Sequence, residues 1–278
     1  MSTTPIAIRE TLQKHYSPQE ATALARIVCC EILRQNNIDF YLGKDITLSA
    51  NEEENLQYIL SRLSNYEPIQ YIQGFCNFCG NRFQVGKGVL IPRPETEELV
   101  ELMLKEIAPN ARILDIGTGS GCIAISLAKA LPQAKVTGWD ISEEALHIAQ
   151  CNNQALDAGV NFVKQDVLTY ESTETGAYDI IVSNPPYITE HEKAEMEANV
   201  LLWEPATALF VPNNDPLCFY RRIAEIGHTL LSKEGCMYFE INRAYGEEIA
   251  AMLKQMGYSD IQVRKDLSGN NRFIITRK

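Results

Sequence analysis

Asn184-Pro185-Pro186-Tyr187 places an amide side chain, proline carbonyls and an aromatic ring in four consecutive positions. Such a cluster suits a planar group carrying an NH2. Carbonyl oxygens accept its two hydrogens, and the ring covers its π-face. The tetrapeptide follows Tyr178-Asp-Ile-Ile-Val-Ser183, an apolar β-branched run that reads as a buried strand. Two prolines cannot extend a strand or enter a helix interior, so the chain must break there, at the sheet's carboxyl edge. Open α/β sheets bind their ligands at that edge. The plainer alternative is a proline-kinked loop with a packed tyrosine.

A second motif lies upstream. Arg112-Ile-Leu-Asp-Ile116 reads as a short strand, Gly117-Thr118-Gly119-Ser120-Gly121 as a turn, and the stretch from Cys122 to about Leu131 as a helix. Strand, glycine turn and helix open a doubly wound nucleotide fold, with glycines permitting a tight turn and close backbone approach to a ligand. The spacing G-x-G-x-G differs from the G-x-G-x-x-G of dinucleotide enzymes, which argues against pyrophosphate. Lys135-Val-Thr-Gly-Trp139 reads as the next strand and ends in Asp140. An acid about 20 positions beyond the turn is where a ribose hydroxyl pair is held. As an alternative, Asp140 neighbours the N-cap of a helix beginning near Ser142.

Asp115-x-Gly-Thr-Gly-Ser-Gly121 with Asp140 resembles the cofactor site of class I S-adenosylmethionine-dependent methyltransferases. Asn-Pro-Pro-Tyr is similar to the motif of those that methylate planar nitrogens: adenine N6 enzymes and a protein glutamine N5 enzyme. Glu67-Pro-Ile-Gln-Tyr-Ile-Gln-Gly74, Leu90-Ile-Pro-Arg-Pro-Glu-Thr-Glu97 and Glu204-Pro-Ala-Thr-Ala-Leu209 resemble stretches of the glutamine enzymes that act on peptide-chain release factors. The resemblance runs from about Glu67 to the carboxyl terminus. It implies cofactor contacts from Gly117, Thr118, Gly119, Ser120, Gly121, Asp140, Val167 and Asn184, and no metal. It implies substrate contacts from Asn184, Pro185, Pro186 and Tyr187, with Asn184, Pro185 and Tyr187 catalytic. S-adenosylhomocysteine would be the product, and the substrate the glutamine of a Gly-Gly-Gln motif. One departure is visible: the family often has an aromatic residue after the acid closing the third strand, and here Val167 follows Asp166.

A glutamine amide nitrogen is a weak nucleophile because its lone pair is delocalised. Hydrogen bonds from its NH2 to Asn184 and the Pro185 carbonyl would aim that lone pair, and such positioning contributes about 7–11 kcal/mol in favourable cases. Tyr187 would stack on the amide. No histidine is needed as base, and the histidines at 15, 147, 191 and 228 form no constellation. Asp115 reads as an acid supporting the turn or the cofactor's amino group; Glu95 and Thr96 lie near the cofactor or cap a helix.

These side chains need a framework. Residues 1–73 read as a helical, substrate-recognition domain. Ser17-Pro18-Gln19-Glu20 is a capping-box pattern opening a helix to about Gln35, and Ser49-Ala-Asn-Glu52 opens another. Residues 74–92, rich in Gly and aromatics, suggest a β-hairpin linker. Residues 93–278 alternate as a methyltransferase domain: strands near 112–116, 135–140, 160–165, 178–183, 236–241, 259–265 and 271–277, with helices near 95–107, 121–131, 143–157, 215–231 and 245–256 and a long loop over 184–214. The expected fold is a seven-stranded, mostly parallel, doubly wound Rossmann-like sheet ending in an antiparallel strand.

At 278 residues the chain has length for one or two domains. No apolar run approaches the ~18 residues that span a bilayer, and the amino terminus lacks a secretory pattern, so a cytoplasmic protein without membrane partners is expected. Eight scattered cysteines read as reduced thiols; Cys76-x-x-Cys79 lacks a second pair or nearby histidine, which argues against zinc. A net charge of −11 supplies little phosphate neutralisation, which weighs against direct nucleic-acid binding and the adenine alternative. A cofactor-binding module without catalysis would have no use for an intact Asn-Pro-Pro-Tyr loop.

Overall fold

The computed structural model describes residues 2–171 and 175–278, which form two compact units. The first unit comprises residues up to Gly74 together with Glu197–Trp203. Its helices Pro5–Leu12, Pro18–Arg26 and Ala50–Ser64 bury Ile8, Leu12, Leu24, Leu56 and Leu63 in one apolar cluster. The capping box at Ser49 is complete: its hydroxyl accepts from the Glu52 N–H at 3.3 Å while its own N–H donates to the Glu52 carboxylate at 2.8 Å. At Ser17 only the forward half forms. The helix expected to reach Gln35 is α-helical only to Arg26, and Ile27–Ile32 winds as a π-helix.

The segment expected as a long loop over 184–214 instead carries the strand Ile188–Thr189, a 3-10 turn at Glu190–Glu195, the helices Ala198–Trp203 and Ala206–Leu209, and the strand Phe210–Val211. Each is too short for a hydrophobic period to register. Within the first unit, the Trp203 indole N–H donates to the Asn65 carbonyl at 3.0 Å.

The second unit opens with the hairpin Phe75–Phe78/Asn81–Gln84 and is built on a seven-stranded sheet. Numbered by chain order within that sheet, the strands Arg112–Ile116, Lys135–Asp140, Asn161–Lys164, Tyr178–Ser183, Leu231–Glu240, Ser259–Lys265 and Asn271–Arg277 lie in the order 6-7-5-4-1-2-3. Strands one to five are parallel, and the seventh runs antiparallel between the fifth and sixth. This is the expected sheet.

Alternation along the strands serves two cores. Ile113, Ile180 and Val182 face the layer of Leu99, Met103, Ile125 and Leu127, whereas Leu114 and Ile181 face Tyr220, Ile223, Leu230, Ile249 and Leu253. Helices Pro94–Glu106 and Cys122–Ala130 supply the first layer, Cys218–Leu230 and Gly246–Gln255 the second. Burial on both faces explains the near-continuous apolar strands. Strand order reverses between the first and fourth strands, so their carboxyl ends diverge from helices on opposite faces and leave a crevice. Among the described residues, no helix is long and apolar enough to cross a membrane.

Candidate active site

A cavity of about 350 Å3 opens at that crevice. Two groups of residues meet there, one from the first three strands and one from the fourth.

The first group is the glycine turn. Gly117, Gly119 and Gly121 have φ of +74°, +55° and +80°, the left-handed region that glycine enters without steric cost. The N–H groups of Gly117 and Thr118 both donate to the Trp139 carbonyl at 2.9 Å, binding the turn to the second strand. Asp140 closes that strand. One carboxylate oxygen accepts from the Gly119 N–H at 2.8 Å and the other from the Ser142 N–H at 2.9 Å. Asp140 therefore neighbours the N-cap, as the alternative reading had it, and also lines the cavity. Burial pushes its carboxyl above the ordinary range, against the pull of the backbone N–H donors at Ser142, Gly119 and Ile141.

Of the five turn residues, Gly117 and Gly119 reach the cavity wall, while Thr118, Ser120 and Gly121 do not. The Thr118 hydroxyl donates downward to Asp115 at 2.6 Å, and burial raises the Asp115 carboxyl to about 7. The Ser120 carbonyl accepts from Asn152, which also exchanges hydrogen bonds with the Gln84 backbone. Gly121 is a packing glycine: a Cβ there would meet Ile125 and Phe162 at 3.0 Å. Asn152 carries no motif and was not legible in the sequence. Its role arises from contacts 32 and 68 positions away.

Beyond Asp140 the wall is aliphatic, formed by Ile141, Val167 and Leu168, with Gln165 and Asp166 at its edge. Val167 thus supplies apolar surface where an aromatic residue was the family expectation. Leu90, Pro205 and Phe210 form another wall. Glu204 joins its two segments, accepting from the Ile91 N–H at 3.1 Å and pairing with Arg93. The Leu90–Glu97 and Glu204–Leu209 motifs were the signal for this wall, though only Glu95 and Thr96 among them had been given a role.

The second group follows the fourth strand. The Ser183 hydroxyl donates to the Ile116 carbonyl at 2.7 Å, and Asn184, Pro185 and Pro186 line the cavity. Tyr187 does not: its ring packs against the second apolar layer and its hydroxyl donates to Glu240 at 3.3 Å. Thr96 is likewise behind the wall, 3.3 Å from the Asn184 Nδ2, and Glu95 is outside it. Glu240 escaped the sequence reading. Cys76 and Cys79 are half-buried free thiols whose pKa values burial raises.

Among the described residues no Lys, Arg or His lines this cavity, whereas Asp140 and Asp166 do. Such a lining repels phosphates and suits a cationic ligand with a diol and a planar base. S-adenosylmethionine has these parts: Asp140 would hold the ribose hydroxyls, the aliphatic wall would take the adenine, and the acidic residues would face the positive end. Sheet order, glycine turn and cavity define a Rossmann-like S-adenosylmethionine-dependent methyltransferase.

Comparison with known proteins agrees. Residues 94–212 match the family described as the methyltransferase small domain, and residues 7–74 match the PrmC N-terminal domain. A release factor glutamine methyltransferase from Bacteroides thetaiotaomicron is 56% identical over 271 residues, covering 98% of each chain. One from Flavobacterium psychrophilum is 42% identical, covering 95% of this chain and 98% of its own. The chain belongs to the release factor glutamine methyltransferase family. Among solved structures, a methyltransferase from Pyrococcus furiosus superposes with a TM-score of 0.52 at 16% identity, over 83% of this chain and 99% of its own, a likeness of fold.

Proposed function

We propose that this enzyme methylates the N5 side-chain nitrogen of the glutamine in the Gly-Gly-Gln motif of peptide-chain release factors. The observation that carries the reading is the meeting of Asn184, Pro185 and Pro186 with Asp140 and the glycine turn around one cavity. Membership of a family whose relatives are named as release factor glutamine methyltransferases supports it.

S-adenosylmethionine, when bound, supplies an electrophilic methyl group on a sulfonium. The chain's own residues do the rest by positioning. Gly117, Gly119, Asp140 and Val167 hold the cofactor side, with Thr118, Ser120 and Gly121 shaping the turn from behind. The Asn184 side-chain oxygen and the Pro185 carbonyl accept the two amide hydrogens, which turns the nitrogen lone pair toward the methyl group. Fixing that attack geometry is the main catalytic contribution. Pro186 keeps the loop stiff. Tyr187 backs it with its ring and its hydrogen bond to Glu240.

We assign the first helical unit to recognition of the release factor, since a single glutamine loop offers too little surface for specific binding. A chain starting at Gly74 that methylated intact release factor at the full rate would remove that assignment. The net charge of −11 favours a basic partner, and release factors need basic surface to engage ribosomal RNA. Direct nucleic-acid binding is not part of this reading, and the cytoplasm is where such a substrate is met. Incubating a release factor with enzyme and cofactor should add one methyl mass to the peptide bearing the glutamine. Replacing that glutamine should abolish the gain. Methyl appearing on adenine instead would overturn the reading.

A further inference from the structure

Glu240 is 2% exposed and ends the fifth strand, immediately after the Phe239–Ser183 pairing with the fourth. Asn184 follows Ser183, so the two residues leave neighbouring strand ends. A carboxylate this deeply buried needs partners for its oxygens. It has two. One oxygen accepts from the Thr96 hydroxyl at 2.6 Å, the other from the Tyr187 hydroxyl at 3.3 Å.

The consequence lies in the Thr96 hydroxyl, which is 3% exposed and has a single proton. That proton goes to Glu240. Toward Asn184 the Thr96 oxygen can then only accept, and it does so from Nδ2 at 3.3 Å. An amide whose NH2 end is held behind the cavity wall leaves its Oδ1 end as the acceptor. We propose that Glu240 and Thr96 are positioning residues for methyl transfer: the buried carboxylate polarises the Thr96 hydroxyl, which orients the Asn184 amide so that its oxygen, not its NH2, meets the substrate nitrogen. The same carboxylate holds Tyr187 and so braces the loop from its other end. This rests on the proposed glutamine methylation, and names the parts that set its catalytic amide.

The chain of bonds has a direction only while Glu240 accepts. Burial and, less strongly, the Glu95 charge raise its carboxyl, and the Thr96 hydroxyl, the Arg272 charge and the Tyr187 hydroxyl act against that rise. The Arg272 guanidinium is itself mostly buried and paired with Asp266 at 3.1 Å.

Thr96→Val removes the hydroxyl at nearly constant shape, and Thr96→Ser restores it. In Thr96→Val, kcat should fall about 10-fold or more, the loss of a buried hydrogen bond and of the amide's direction. KM for the release factor and Kd for S-adenosylmethionine should stay within about twofold. Thr96→Ser should recover most of kcat, a rescue that a purely structural role would not require. A second readout is independent of turnover. The Asn184 side-chain NH2 resonance, identified by its loss in Asn184→Ala, should exchange with solvent slowly in wild type and Thr96→Ser. In Thr96→Val it should exchange faster. Should Thr96→Val not fold, the exchange rate in wild type still decides, because an NH2 held by the Thr96 oxygen must exchange slowly there. A folded Thr96→Val with wild-type kcat, or an Asn184 NH2 that exchanges freely in wild type, overturns the proposal. Wild-type enzyme that fails to methylate any release factor would instead defeat the proposed function, leaving the exchange measurement to judge the amide's orientation.

Discussion

The two halves of the cavity are built in opposite ways. On the glycine-turn side the bonds that set the turn are shorter in sequence: Thr118 to Asp115 spans three positions, Gly119 to Asp140 spans 21, Ser142 to Asp140 spans two, and the Asn152 support of Ser120 spans 32. On the Asn-Pro-Pro-Tyr side they are long: Asn184 to Thr96 spans 88 positions, Tyr187 to Glu240 spans 53, Thr96 to Glu240 spans 144. The first half is a turn that its own strand and helix form together with the end of the neighbouring second strand. The second is an otherwise ordinary proline loop until two distant elements, the Thr96 helix and the Glu240 strand end, orient its amide. A glycine turn can be made between neighbouring strands; aiming one amide atom takes a helix and a strand end far away in the chain.

Each half can be broken separately. The largest effect is expected at Asn184→Ala, which should lower kcat by roughly 10²–10³-fold, the scale for removing one preorganised polar contact from a reacting centre. Cofactor affinity should fall only modestly. Calorimetry beside single-turnover rates would expose a loss of binding, which would mean the halves are not separable.

Asp140→Ala should act on the other side, weakening S-adenosylmethionine by about 1.5–3 kcal/mol, roughly 10–150-fold in Kd. The carboxylate is also the acceptor for Gly119, so part of that loss reflects a loosened turn. Unchanged affinity in a folded variant would remove Asp140 from the cofactor side.

Gly138→Ala tests how tightly the turn half is packed. A Cβ there would come within 2.6 Å of Phe162 and 3.0 Å of the Thr118 hydroxyl. Overpacking of this kind costs about 1–3 kcal/mol, measurable as a shift in denaturant midpoint. The loss should reach cofactor affinity before it reaches the orientation of Asn184.

The last test is a pH slope. Burial holds the Asp115 carboxyl at about 7, above the ~3.9 of an unfolded aspartate. The folded protein therefore keeps a proton that the unfolded chain releases, and this residue's contribution to stability falls as pH rises from about 4 to about 7 and is level above. In Asp115→Asn that contribution to the slope should vanish. Identical midpoint-versus-pH curves for the two proteins would show that Asp115 does not titrate in this range.

The legible parts of the sequence were those with strong periodic or turn chemistry. The strands Ser259–Lys265 and Asn271–Arg277 fell where expected because β-branched runs flank an Asn- and Gly-containing connection. The helix expected from about 215 starts at Cys218, and the Asp215 carboxylate just before it pairs with Arg221 at 2.7 Å. The fifth strand begins at Leu231, ahead of the expected Cys236, through an irregular pairing that no alternation announces.

The sequence by itself determined the doubly wound sheet, the turn at Gly117–Gly121 with Asp140, and the break at Asn184-Pro185-Pro186, because glycine, proline and apolar period act within a few residues. Tertiary structure alone decided that Thr118 and Ser120 turn away from the cavity, that Tyr187 points its hydroxyl into the core, and that Glu240 lies behind Thr96. These depend on which strand ends become neighbours in the 6-7-5-4-1-2-3 order. Glu240 and Thr96 are 144 positions apart, and the hydrogen bond between them exists only once the fifth strand has paired beside the fourth.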